Sequence, residues 1–187
     1  MILSGLEIKK QREAGTILID PFNPMQVNPA SYDLRLGSTI KTYKRGRYRN
    51  LLDTERRTLD SANKSTLECE TDHIPHTGFL LHPGTLYLMH TIERVRTDLF
   101  VPIVDGKSSV GRLGVFVHVT AGFGDPGFDG QYTLEVLVTY PTKVYAGMRF
   151  CQIRFHAIQG EFQLYDGNYR DAYSEGPQPS RIWRQFE

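Results

Sequence analysis

The stretch Asp105–Glu135, DGKSSVGRLGVFVHVTAGFGDPGFDGQYTLE, sets two apolar runs on either side of a glycine-rich loop. Val115–Val119 (VFVHV) and Tyr132–Val138 (YTLEVLV) are rich in β-branched and aromatic residues, which suit an extended, half-buried chain. Between them Gly122, Gly124, Gly127 and Gly130 sit among Asp125, Pro126 and Asp129, a composition that turns sharply or lets a backbone come close to another group. Alternation along Tyr132–Val138 places Leu134, Val136 and Val138 on one face, and Thr133, Glu135 and Leu137 on the other. The segment therefore predicts strand, loop, strand.

The same grammar extends outward. Phe79–Leu81, Leu86–Met89 and Phe150–Phe155 are short apolar runs bounded by turn pairs such as Asn28-Pro29, His82-Pro83-Gly84 and Asp129-Gly130. A sandwich, jelly roll or distorted barrel follows from this spacing. One short helix is expected. Ser4-Gly5-Leu6-Glu7 reads as a capping box, with Ser4 at the N-cap, Glu7 reaching back, and a stop near Ala14-Gly15. Residues 44–76 are charged and polar and read as an exposed excursion. Residues 166–187 form a tail with little core of its own, though Tyr169, Tyr173 and Trp183 make it too aromatic for a plain linker.

The 187 residues fit a single domain, 1–187, and 40% hydrophobic with 23% charged residues is the balance of a soluble globular protein. A net charge of +1 argues against a broad nucleic-acid footprint, so an anionic ligand would need a local basic pocket. There is no apolar run of membrane-spanning length and no signal-peptide core, and the two cysteines are read as free thiols; a cytoplasmic protein without membrane partner is expected.

Read by residue type alone, the chemical signals are modest. Gly106-Lys107-Ser108-Ser109, followed by Arg112, offers cations, hydroxyls and backbone N–H groups of the kind that bind phosphate, yet it is not a Walker loop and also fits a polar turn. Glu135 fits an ordinary strand carboxylate; if buried, its pKa would be free to rise. His118, alone in an apolar run, reads as structural. None of the six histidines is followed by x-Glu, and Cys-x-x-Cys is absent, which argues against a zinc-dependent base deaminase.

Taken in order, several motifs resemble the deoxycytidine-triphosphate deaminase family, which shares its fold with the trimeric dUTPases. They are Val27–Gly37 (VNPASYDLRLG), Phe79–Gly84, Gly106–Gly114 (GKSSVGRLG), His118–Ala121, Asp125–Phe128, Thr133–Glu135 and Gly176–Arg181 (GPQPSR). The resemblance implies a mainly β, distorted jelly-roll or barrel fold of the trimeric dUTPase-like type. It also implies a homotrimer with sites between subunits, and a mobile tail, about 166–187, closing over the nucleotide. Glu135 would take a proton from water and later protonate the pyrimidine. Ser108 and the Ala121 carbonyl would hold that water, and Arg112 would orient the site. Lys107 and Ser109 would meet phosphates, Asp125 and Phe128 the deoxyribose, and Tyr165, Arg170 and Ser174 would complete the substrate contacts. Mg²⁺ would ride on the triphosphate oxygens without direct protein ligands.

Several positions depart from the family pattern, among them Arg170 and Ser174, which stand where the tail usually offers a Lys and a Gln to the phosphates. Val138 replaces an Asn, and Gly124 replaces a large apolar residue, which is expected to loosen that loop. The resemblance leaves two outcomes open. The chain stops at dUTP and ammonia, or Asp125 aligns a second water and it continues to dUMP and pyrophosphate. The segment Thr120–Phe128 looks closer to the dUMP-forming members. dUTP is a second candidate substrate and dTTP a candidate inhibitor. Rival readings are a dUTP or dCTP pyrophosphatase without deamination, and a non-catalytic β-rich binding module.

Overall fold

The computed structural model describes residues 1–44, 58–169 and 176–187. Residues 45–57 of the expected excursion, and Arg170, Tyr173 and Ser174 of the tail, lie outside the described residues.

Helix α1 spans Gly5–Glu13, with the Ser4 hydroxyl accepting the Glu7 N–H at 3.2 Å. Only half of the expected capping box forms, because the Glu7 carboxylate takes the Gln11 side-chain amide at 2.6 Å instead. The strands are β1 Ile17–Asp20, β2 Tyr32–Arg35, β3 Thr39–Tyr43, β4 Cys69–His73, β5 Phe79–Leu81, β6 Tyr87–Thr97, β7 Phe100–Gly106, β8 Val115–Phe116, β9 Asp129–Val138, β10 Thr142–Val144 and β11 Arg149–Ala157. A single helical turn, α2, covers Ser108–Gly111.

The main sheet runs β4-β3-β6-β9-β8, with β1 paired to β6 as well; a second sheet runs β2-β11-β7, and β5 pairs with β10. Every pairing is antiparallel. An isolated bridge between Leu36 and Thr91 ties the two larger sheets together. This is the mainly β, jelly-roll-like architecture expected from the strand spacing. Both sheets feed one core: Leu34, Leu36, Phe150, Ile153 and Phe155 meet Met89, Leu134 and Val136, all fully buried. Each such side chain is worth about 1.5–3 kcal/mol of transfer free energy. Burial along β9 alternates strictly, as its sequence predicted, with Leu134, Val136 and Val138 inward.

Strand β6 bulges where its register with β9 shifts between His90 and Arg94. Polar groups freed there are recaptured: the Thr91 hydroxyl accepts the Tyr132 N–H at 3.0 Å, and Gln131 Nε2 donates to the Ile92 carbonyl at 3.0 Å. Below the bulge Glu93 is fully buried, yet it accepts from Arg35 N (2.8 Å), Arg35 Nε (2.6 Å) and Gln26 Nε2 (3.0 Å). A buried carboxylate tolerates such a site only when its oxygens are satisfied in this way.

Two local expectations are corrected. Cys69–His73, expected to be irregular, is a strand on the edge of the main sheet, because its backbone pairs with β3 although its side chains are mostly exposed. VFVHV keeps only Val115 and Phe116 in a strand. Beyond Phe116 the chain leaves β9 and turns to β7, where the Gly122 carbonyl accepts the Val104 N–H and Gly124 N–H donates to the Pro102 carbonyl, both at 2.8 Å. That divergence opens a wedge between segment 117–125 and β9.

Candidate active site

The wedge holds a cavity of about 380 Å³. One wall is the diverging segment, with His118, Ala121, Phe123, Gly124 and Asp125; the opposite wall is β9, with Gln131, Tyr132, Thr133 and Glu135. Leu86, Leu88 and Tyr43 floor it, and Phe128, Tyr165, Tyr169, Gln178 and Ser180 close it from the loop and tail. This size falls within the range of ordinary small-ligand sites.

Glu135 stands on the outward face of β9 with its side chain 32% exposed, and His118 Nδ1 lies 3.3 Å from Oε2. The alignment is too poor for a well-formed hydrogen bond, and Nδ1 is buried with no other partner, so proximity carries the interaction. The imidazole is the main reason the carboxylate is held below the usual range; burial opposes it, and the Thr120 backbone N–H adds to the lowering. The sequence allowed a raised value by burial. The structure reverses the direction, because burial is partial and donors converge on the oxygens. Glu135 is thereby kept as a carboxylate at neutral pH, the form that can accept a proton. His118, read as structural, is thus a cavity residue; the chain bend that brings it there is absent from any strand pattern.

Asp125 and Ala121 are exposed at the cavity wall. Phe128 packs on Tyr132 (ring centroids 5.1 Å apart) and meets Tyr165 edge-on at 6.1 Å. The Tyr165 N–H donates to the Pro126 carbonyl at 2.7 Å, which ties the loop to the segment beyond β11. Gly127 makes this seam possible: its φ is +92°, and a Cβ there would stand 2.9 Å from Leu164 Cβ and 3.0 Å from Tyr165 N. Gly124 does not loosen the loop as expected. A Cβ at that position would lie 2.9 Å from both the Pro102 oxygen and the Tyr132 hydroxyl, so the missing side chain admits a close approach and the loop stays pinned to β7.

Among the described residues, Lys107, Ser108, Ser109 and Arg112 do not gather here. Lys107 caps α2, and its Nζ sits 2.8 Å from both oxygens of the fully buried Asp33. Ser108, Ser109 and Arg112 are exposed on or beside α2 and do not line the cavity. The cavity lining carries two carboxylates, Asp125 and Glu135, and among the described residues no lysine or arginine. Among the described residues no three His, Cys, Asp or Glu side chains cluster as metal ligands. Sequence reasoning passed over Tyr43, Gln131, Tyr132, Thr133, Gln178 and Ser180. Of these, Thr133 carried a signal by sharing the Glu135 face, and Gln178 and Ser180 by lying in the GPQPSR motif of the tail.

Fold and cavity together define a mainly β protein with an acidic, aromatic-walled cavity of small-ligand size. The chain belongs to the dCTP deaminase-like family, whose model matches residues 2–158. It is 45% identical to a Hathewaya histolytica protein named dCTP deaminase, dUMP-forming, over 188 residues that cover 100% of each chain. A Clostridium acetobutylicum protein of the same name is 41% identical, covering 100% of this chain and 99% of its own. Among solved structures, the 2'-deoxycytidine 5'-triphosphate deaminase of Agrobacterium tumefaciens matches with a TM-score of 0.60 and 26% identity, over 83% of this chain and 48% of that one. No helix among the described residues is long and apolar enough to cross a membrane.

Proposed function

We propose that this chain deaminates dCTP to dUTP and ammonia and then hydrolyses the α–β phosphoanhydride to give dUMP and pyrophosphate. The observation that carries the reading is a Glu135 held ionised in the cavity wall, in a chain whose full-length relatives bear the name dCTP deaminase, dUMP-forming. In this reading Glu135 removes a proton from water as its oxygen attacks C4, then returns the proton to the pyrimidine so that ammonia can leave. The Ala121 carbonyl helps to hold that water. Phe128 packs on the deoxyribose, with Tyr165 behind it and Asp125 at the sugar edge. Asp125 also aligns the second water on the α-phosphorus.

Among the described residues the lining offers carboxylates and no cation, which cannot neutralise a triphosphate. Lys107, Ser108, Ser109 and Arg112 carry cations and hydroxyls of the kind required, outside this chain's own cavity. A site completed by those residues of a neighbouring copy in a homotrimer meets the need, and Leu113 and Phe116 beside them expose apolar surface that such a neighbour would cover. Mg²⁺ belongs to the substrate in this reading: it would be held by triphosphate oxygens and water, neutralising charge. Cytoplasmic residence, free from membrane and nucleic acid, and feedback by dTTP at the same cavity complete the proposal.

The test is incubation with dCTP and Mg²⁺ followed by chromatography of the products, on wild type and Glu135→Gln. Equal ammonia, dUMP and pyrophosphate are expected from wild type, and roughly 10²- to 10⁴-fold less ammonia from the variant. Accumulating dUTP without pyrophosphate would sink the second step. Pyrophosphate without ammonia would leave a pyrophosphatase.

A further inference from the structure

The segment Gly176–Ser180, GPQPS, has backbone N–H groups only at Gly176, Gln178 and Ser180, because prolines occupy the two positions between them. All three are taken by side chains at the cavity rim. Gly176 N–H donates to Gln131 Oε1 at 3.2 Å, Gln178 N–H to Thr133 Oγ1 at 2.9 Å, and Ser180 N–H to the Tyr43 hydroxyl oxygen at 3.2 Å. Gln131 and Thr133 are alternate residues on the β9 face that also carries Glu135, and Tyr43 ends β3. The period of two along the strand matches the period of two between donors. Gln131 is itself fixed by its bond to the Ile92 carbonyl at 3.0 Å. Gly176 and Pro177 are buried against the sheet, while Gln178 and Ser180 line the cavity. Farther along, Lys64 lies 4.7 Å from the centre of the Trp183 ring, so the chain is also held beyond the strap.

We propose that Tyr43 and Thr133 are positioning residues that key this strap to the rim in one register, and that the seated strap is the wall that holds Gln178 and Ser180 against the nucleotide. A slip of one residue would set prolines opposite two of the three acceptors, and proline has no N–H to give. The alternation therefore rejects the nearest wrong register, and the acceptors' place on the Glu135 face ties strap position to the reacting end of the cavity. The inference rests on the cavity being the nucleotide site.

Tyr43→Phe and Thr133→Val each delete one acceptor with little change of shape. The readouts are amide hydrogen exchange at Gln178 and Ser180 without nucleotide, and kcat and KM for dCTP. A net hydrogen bond of ordinary strength corresponds to roughly a 2- to 12-fold change in the seated-to-open ratio. Thr133→Val is expected to speed exchange at Gln178 by that factor, and Tyr43→Phe at Ser180. The double variant should speed both and raise KM several-fold, with kcat within about twofold. Wild-type exchange in the double variant would overturn the keying, and faster exchange with an unchanged KM would overturn the wall. A purely structural role would lower kcat through loss of folded enzyme and leave KM alone, which also counts against the proposal. Exchange is read on the free protein, so a wild type that fails to turn over dCTP would refute the functional reading while exchange still decides the keying.

Discussion

Gly127→Ala strikes the seam between the sugar-facing loop and the segment that carries Tyr165. Two costs add. Holding an alanine at φ +92° costs about 1–2 kcal/mol, because Cβ crowds the following carbonyl. The new methyl would also stand 2.9 Å from Leu164 Cβ and 3.0 Å from Tyr165 N, where relief by backbone movement costs about 1–3 kcal/mol. The sum is about 2–5 kcal/mol if the seam stays closed. The alternative is to part it, giving up the 2.7 Å bond from Tyr165 N–H to the Pro126 carbonyl and the edge contact of Phe128 with Tyr165. Urea denaturation and steady-state kinetics with dCTP measure both routes. The backbone cost stays on either route and parting adds about 1–3 kcal/mol for the lost bond and ring contact, so the expected result is a loss of about 2–5 kcal/mol in stability, with KM raised at least tenfold. Gly84→Ala is the control, since its φ of +77° is similar but a Cβ there meets nothing within 4 Å. It should lose only the backbone cost, with KM unchanged. Equal stability losses and equal KM values for the two variants would refute the reasoning from close approach.

Three further outcomes follow from the buried polar groups. His118→Phe removes the main influence that holds Glu135 low and leaves burial to raise it, so the acidic limb of kcat/KM should move to higher pH; an unmoved limb would show that His118 does not set the base. Burial lowers the His90 pKa, so the unfolded chain binds the proton more readily. Stability should therefore fall as pH drops below about 6.5, the unperturbed histidine value, and continue falling until the folded value is passed; urea midpoints between pH 8 and 5 check this, and His90→Gln should flatten that part of the slope. Glu93→Ala leaves the Arg35 guanidinium and the Gln26 amide without their shared acceptor and should cost about 3–5 kcal/mol in a denaturation series, far more than loss of an exposed carboxylate such as Glu68.

Local pattern carried much of this molecule. Alternation in Tyr132–Val138 decided which side chains of β9 enter the core, since successive residues of a strand point to opposite faces whatever lies around them. Ser4 and Gly15 bounded the one long helix for an equally local reason: a hydroxyl meets the first free N–H groups, and a glycine at φ +77° ends the run. Ordered motifs were enough to point to the family. Tertiary structure alone decided the rest. VFVHV has the composition of a full strand, but beyond Phe116 the chain leaves β9 and bonds to β7 at Gly122 and Gly124, and only that divergence opens the cavity and turns His118 to Glu135. The direction of the Glu135 shift depended on how donors and burial balance at one point in space, which spacing along a chain does not encode. Lys107, Ser108 and Arg112 lie close to Glu135 in sequence and outside its cavity in the fold, while Tyr43 and Gln178 lie far off in sequence and form its walls. Distance along the chain sets only the loop that must close; sheet pairing sets which side chains meet.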